Sequence, residues 1–160
     1  MQNKLKRAIS AVIFSLILVA CKEQTAEIGK PAPDFATFDL QGNKVELNQW
    51  QGKKLLVSFW SETCGVCVAE LNELDKMAQA HPDQVQVIAI NIDGENANTQ
   101  AIVEKRKIRL PVLKDQLKMT GERYGVVGTP TSFVIDDNGN IQAKFEGLIP
   151  KDELQKIFNG

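Results

Sequence analysis

The sequence predicts an α/β fold with a mixed central sheet flanked by helices, and three observations predict it. Leu55–Trp60 and residues 85–90 are near-continuous apolar runs of strand length, as central strands covered on both faces require. Between them, Gly65–Ala80 carries Cys67, Leu71, Leu74 and Ala78 at steps of four, three and four, one stripe of a helix. Late in the chain, residues 131–136 and 141–145 flank Asp137-Asn138-Gly139-Asn140, a strong hairpin signal. Strands alternating with helices, followed by a hairpin, place parallel and antiparallel neighbours in one sheet.

The elements follow in order from residue 31. Pro31-Ala32-Pro33-Asp34-Phe35 opens the domain, since proline stiffens a leading segment. Residues 38–40 and 44–47 around Gln41-Gly42-Asn43 predict an N-terminal β-hairpin. Residues 93–108 are polar and permit a helix. Leu110-Pro111-Val112-Leu113 predicts a short edge strand, because proline is poorly tolerated inside a sheet. Residues 118–124 predict a short helix stopped by Gly125, and residues 152–158 predict a closing helix with Asp152 near its positive end.

At 160 residues and 43% hydrophobic content the chain supports one domain with a sizeable core. Nineteen basic against twenty acidic residues leave no field that would favour nucleic acid. Lys105-Arg106-Lys107 with Arg109 has no interleaved aromatics and fits the solvated last turn of a helix.

The N-terminus has its own logic. Lys4, Lys6 and Arg7 precede an apolar stretch over residues 8–20, too short to span a bilayer, which needs about 20 residues. It suits the core of a secretion signal. Leu18-Val19-Ala20-Cys21 resembles a bacterial lipobox, which predicts a signal peptide over 1–20, a lipidated Cys21 and a tether over 21–30. Two or more acyl chains anchor a protein stably where one is marginal. The alternative is an ordinary secreted protein. Residues 22–30 extend at most about 30 Å, so the domain at 31–160 stays near its membrane.

Cys64-Gly65-Val66-Cys67 carries the chemistry. A strand delivers the chain to Ser61-Glu62-Thr63, and Cys64 then sits at a helix start, where unpaired N–H groups favour a negative charge. A free thiol is only about 3% ionised at pH 7, and helix N-termini lower its pKa to roughly 3.5–7.5. Cys64 is therefore the expected nucleophile and Cys67, in the buried stripe, the resolving thiol. A zinc site is excluded by inventory: the remaining candidates are Cys21 and the single histidine, His81. A purely structural disulfide is the plainer alternative, although so short a loop constrains the unfolded chain little.

Residues 59–67, Phe-Trp-Ser-Glu-Thr-Cys-Gly-Val-Cys, together with residues 128–136, Gly-Thr-Pro-Thr-Ser-Phe-Val-Ile-Asp, resemble the thioredoxin superfamily. With Gly29-Lys30-Pro31-Ala32-Pro33-Asp34-Phe35 and the hairpin that follows, they resemble its TlpA/ResA-like branch of membrane-anchored thiol–disulfide oxidoreductases. The resemblance implies a thioredoxin fold with an insertion at about 93–112. It also implies a cis Thr129–Pro130 bond facing the cysteines, where the Thr129 backbone docks an extended substrate. Trp60 beside the pair is a candidate on the substrate side, its alternative being simple packing.

The branch further implies an acid near the pair at Glu70. Thioredoxins instead carry a buried Asp on the preceding strand, where this chain has Ser58, so proton transfer at Cys67 falls to Glu70, water or a hydroxyl. The alternative is an exposed helix glutamate. Val66, Thr63 and Val68 depart from the usual proline, tryptophan and basic residue. The expected partners are proteins bearing disulfides or thiols and a membrane thiol carrier of the DsbD/CcdA type. The protein is expected to be a monomer that needs no cofactor beyond its dithiol. The expected activity is reduction of partner disulfides, such as those of cytochrome c precursors.

Two rivals stand beside it. A thiol peroxidase needs Pro-x-x-x-Thr-x-x-Cys, and no proline stands near Cys64 on its N-terminal side. A copper- or haem-assembly binder of similar fold usually adds a histidine close to the cysteines, and His81 is poorly placed for that.

Overall fold

The computed structural model describes residues 25–159; the expected signal peptide and Cys21 lie outside them. Seven strands form one sheet: β1 Thr37–Asp39, β2 Lys44–Val45, β3 Leu55–Trp60, β4 Gln86–Asn91, β5 Val112–Lys114, β6 Thr131–Ile135 and β7 Ile141–Glu146. Their spatial order is β2-β1-β5-β4-β3-β6-β7. β3 runs parallel to β4 and antiparallel to β6, and β4 runs parallel to β5. The mixed sheet follows from the alternation of strands and helices and from the late hairpin. All six residues of β3 are buried, as its near-continuous apolar run demands.

The helices are α1 Gly65–Ala80, α2 Thr99–Arg106, α3 Met119–Arg123 and α4 Lys151–Asn159. Alternate side chains of a strand point to opposite faces, and the core divides accordingly. Leu56, Trp60, Val87, Ala89 and Val134 pack with Cys67, Leu71 and Leu74 of α1 and with Leu154, Ile157 and Phe158 of α4. Leu55, Val57, Phe59, Ile88, Ile90, Phe133 and Ile135 pack on the other face with Phe35 and Tyr124. There Phe59, Tyr124 and Phe133 lie with ring centroids 5.0–5.9 Å apart, and the Tyr124 hydroxyl donates to the Pro33 carbonyl at 2.7 Å.

Three expectations need correction. β5 is not an edge strand, because β1 pairs antiparallel with it on the side away from β4. Pro111 precedes the strand, so its missing N–H costs the ladder nothing, and its carbonyl still accepts the Ala89 N–H at 2.9 Å. The segment after β2 is a 3-10 turn at Leu47–Trp50 in place of a longer strand, with the Leu47 N–H held by Asp34 Oδ1 at 2.8 Å. The domain also begins before Pro31. The Ala26 N–H donates to the Arg123 carbonyl, the Gly29 N–H to Ile141, and the Ile141 N–H to Lys30, at 2.8, 2.8 and 2.9 Å.

Candidate active site

β3 ends at Trp60 and α1 starts at Gly65, so the turn at residues 61–63 places Cys64 at the helix N-cap. Cys64 and Cys67 form a disulfide with Cα atoms 5.3 Å apart. The two sulfurs differ in setting: Cys67 is 1% exposed, whereas Cys64 is only half-buried. The Cys67 N–H donates to Cys64 Sγ at 3.2 Å, so the helix terminus presents a donor to the sulfur that would carry negative charge on reduction. Nothing stands within 4 Å of where a Cβ at Gly65 would lie, and Val66 is exposed, so the approach to Cys64 is open.

β6 runs antiparallel to β3 with Thr131 opposite Phe59, which brings the segment before β6 to the same end of the sheet as Cys64. The Thr129–Pro130 bond is cis, and the Thr129 carbonyl oxygen lies 3.6 Å from Cys64 Sγ. The Pro130 carbonyl accepts the Gly147 N–H at 2.8 Å, which ties this loop to the end of β7. Three exposed apolar side chains lie close in sequence to the site residues: Val66 between the two cysteines, Val127 two residues before Thr129, and Leu148 just after Gly147. Sequence reasoning missed Val127 and Leu148, because an apolar residue in a loop carries no periodic signal.

Glu70 lies one helical turn beyond Cys67 and is 4% exposed, so it is no solvated surface glutamate. Its Oε1 accepts the Ile149 N–H at 2.8 Å, while Oε2 is buried without a hydrogen-bond partner. Burial pushes its carboxyl above the ordinary range, and Glu73 adds to this; the Ile149 N–H opposes it without cancelling it. Ser58 and Ser132 are opposite residues of β3 and β6, and both hydroxyls are buried without partners. They share the face of Leu56, Trp60 and Val134, the side packed against α1.

Trp60 is corrected to a packing residue. It is fully buried among Leu56, Cys67 and Leu71, so no indole surface reaches a substrate. Val68 is 7% exposed, and a basic side chain there would enter the core. His81 caps the far end of α1, about 24 Å from Cys64 by the rise of a 16-residue helix, and packs on Phe158.

A profile of the AhpC/TSA family matches residues 28–144, most of the chain. The chain belongs to the AhpC/TSA family. Within it, the chain is 32% identical to the thiol-disulfide oxidoreductase ResA of Bacillus cereus over 138 residues, 86% of this chain and 80% of that protein. It is 30% identical to ResA of Bacillus thuringiensis subsp. konkukian over 167 residues, 97% of this chain and 96% of that one. Among solved structures, a putative thiol:disulfide interchange protein DsbE from Chlorobium tepidum superposes with a TM-score of 0.75 at 29% identity, covering 83% of this chain and 96% of that chain. The thioredoxin domain of a thiol-disulfide oxidoreductase from Bacteroides vulgatus gives 0.72 at 29% identity, covering 84% and 100%. This member of the family has the thioredoxin fold and is a thiol–disulfide oxidoreductase.

Proposed function

We propose that the protein is an exported, lipid-anchored reductant of disulfides in partner proteins, recharged by a membrane thiol carrier of the DsbD/CcdA type. The observation that carries the reading is the asymmetry of the pair, one sulfur approachable at a helix N-terminus and the other buried behind it. In the forward reaction the Cys64 thiolate attacks a partner disulfide, forming a Cys64–partner bond and releasing one partner thiolate. Cys67 then loses its proton and attacks Cys64 Sγ, which releases the second partner thiolate. Two electrons pass to the partner, and the pair ends as the disulfide seen here.

Val66, Val127 and Leu148 support a polypeptide substrate with apolar residues near its cysteine, pairing with the Thr129 backbone as an added strand. Glu70, one turn from Cys67 and with a free buried oxygen, takes the proton of the resolving thiol. The pair itself carries the electrons, so no further cofactor enters the reaction. The monomer suffices, since both sulfurs and the Thr129 loop belong to one chain. Anchoring rests on the lipobox resemblance at Cys21, and cytochrome c precursors are the partner class that the TlpA/ResA resemblance suggests.

The test is a reduction potential measured against a glutathione series, paired with reduction of insulin or a cytochrome c precursor peptide. A potential near the thioredoxin end of the range, about −270 mV, with turnover of the peptide supports a reductant; a value near −120 mV overturns that direction. Peroxide consumption by the reduced protein at a rate above its disulfide exchange would favour the peroxidase instead.

A further inference from the structure

Asp93 follows β4 by two residues and takes no part in the sulfur chemistry, yet its carboxylate grips the turn that delivers Cys64. Its Oδ1 accepts the Ser61 hydroxyl at 2.7 Å. Its Oδ2 accepts the Glu62 backbone N–H at 2.7 Å and Asn91 Nδ2 at 2.8 Å. The Asp93 N–H in turn donates to Asn91 Oδ1 at 3.0 Å, and Asn91 is fully buried at the end of β4. Beside this clasp the Ile92 N–H donates to the Trp60 carbonyl at 3.1 Å, so backbone and side chains together join the end of β4 to the end of β3.

Ser61 passes the constraint on. Its hydroxyl lies 3.1 Å from Thr63 Oγ1, and its carbonyl accepts the Cys64 N–H at 3.1 Å. A carboxylate receiving three donors makes charge-assisted bonds, roughly twice as strong as neutral ones. Burial pushes the Asp93 carboxyl up, but bonds from Glu62, Ser61 and Asn91, with Lys118 nearby, bring it below the ordinary range, so it is ionised at neutral pH.

We propose that Asp93 is a positioning residue for the exchange reaction: by fixing Ser61 and Glu62 it holds Cys64 Sγ where the Cys67 N–H reaches it. A negative charge near a thiol and a strut that aims the thiol at a helix terminus have opposite effects. As a charge, Asp93 would disfavour the Cys64 thiolate, and its removal would lower the thiol pKa. As a strut, Asp93 favours the thiolate, and its removal raises the pKa. Glu62 on the turn and Lys118 ahead of α3 are the charged neighbours of this corner, and both remain in the variants below.

The experiment titrates Cys64 in the reduced full chain by the pH dependence of its alkylation by iodoacetamide. For Asp93→Asn the expected result is a pKa higher by about one unit, which means about tenfold less thiolate, and slower exchange, at pH values below the wild-type pKa. Ser61→Ala moves the pKa the same way by less, and the double variant shifts no further than Asp93→Asn alone. Should Asp93→Asn fail to fold, Ser61→Ala carries the test. A lowered pKa overturns the proposal, as does an unchanged pKa with reduced thermal stability. Because the readout is the thiol itself, the result is independent of which partner the protein reduces or of the direction of electron flow.

Discussion

The two faces of the sheet are built to different rules. On the face turned to Phe35 and Tyr124, aromatic rings interlock and the buried Tyr124 hydroxyl is bonded to Pro33. On the face turned to α1, Ser58 Oγ, Ser132 Oγ, Trp60 Nε1 and Glu70 Oε2 are all buried without partners. Buried polar atoms are almost always bonded, so several orphans together set this face apart. That face lies behind Cys67. The comparison teaches that one side of the sheet supplies rigidity and the other the chemistry, although both descend from the same alternating strands.

The sharpest way to break the comparison is at the nucleophile. Cys64→Ser should abolish disulfide exchange in an insulin or peptide assay while leaving the fold intact, since a four-residue loop contributes little to stability. Next comes the aromatic face. Phe133→Ala should destabilise the domain by about 3–5 kcal/mol in a denaturant titration, while exchange per folded molecule stays near wild type. A loss of exchange without loss of stability would show that the faces are not separable.

Glu70→Gln tests the polar face by its pH response. A buried carboxyl with a raised pKa favours the fold while protonated. Its contribution is full below the ordinary glutamate range and is lost as pH rises through the raised value. Glutamine can still accept the Ile149 N–H, so the variant should gain in stability over wild type as pH increases, read from unfolding midpoints across that window. It should also slow the resolving step, seen as longer-lived mixed disulfide. The smallest effect belongs to Ser132→Ala. Removing an unpartnered buried hydroxyl should change stability by less than about 1 kcal/mol, with a gain as the expected sign.

The sequence made the site legible where local pattern and chemistry coincide. A strand, a three-residue turn and an amphipathic stripe place Cys64 at a helix start and Cys67 on its buried side, and periodicity alone says so. The cis bond at Pro130 was legible only through resemblance, because Thr129-Pro130 by itself reads as a trans peptide leading into a strand. The buried setting of Glu70 was half-legible: spacing put it at the border of the stripe, but only the segment around Ile149, far along the chain, covers it. The Asp93 clasp left no signal, since it joins residues 31 and 32 apart through side-chain bonds. For β5, proline chemistry pointed to an edge, and the N-terminal hairpin supplied a neighbour that no local rule could foresee.

The docking of residues 26–30 onto Arg123 and Ile141 alters the mechanics of any anchor upstream. Nine residues of slack between Cys21 and the domain become four, a leash of about 14 Å at full stretch. With acyl chains on Cys21, as proposed, the domain skims one bilayer and cannot ferry electrons across a gap between two. Its partners must then come to the surface where it is moored.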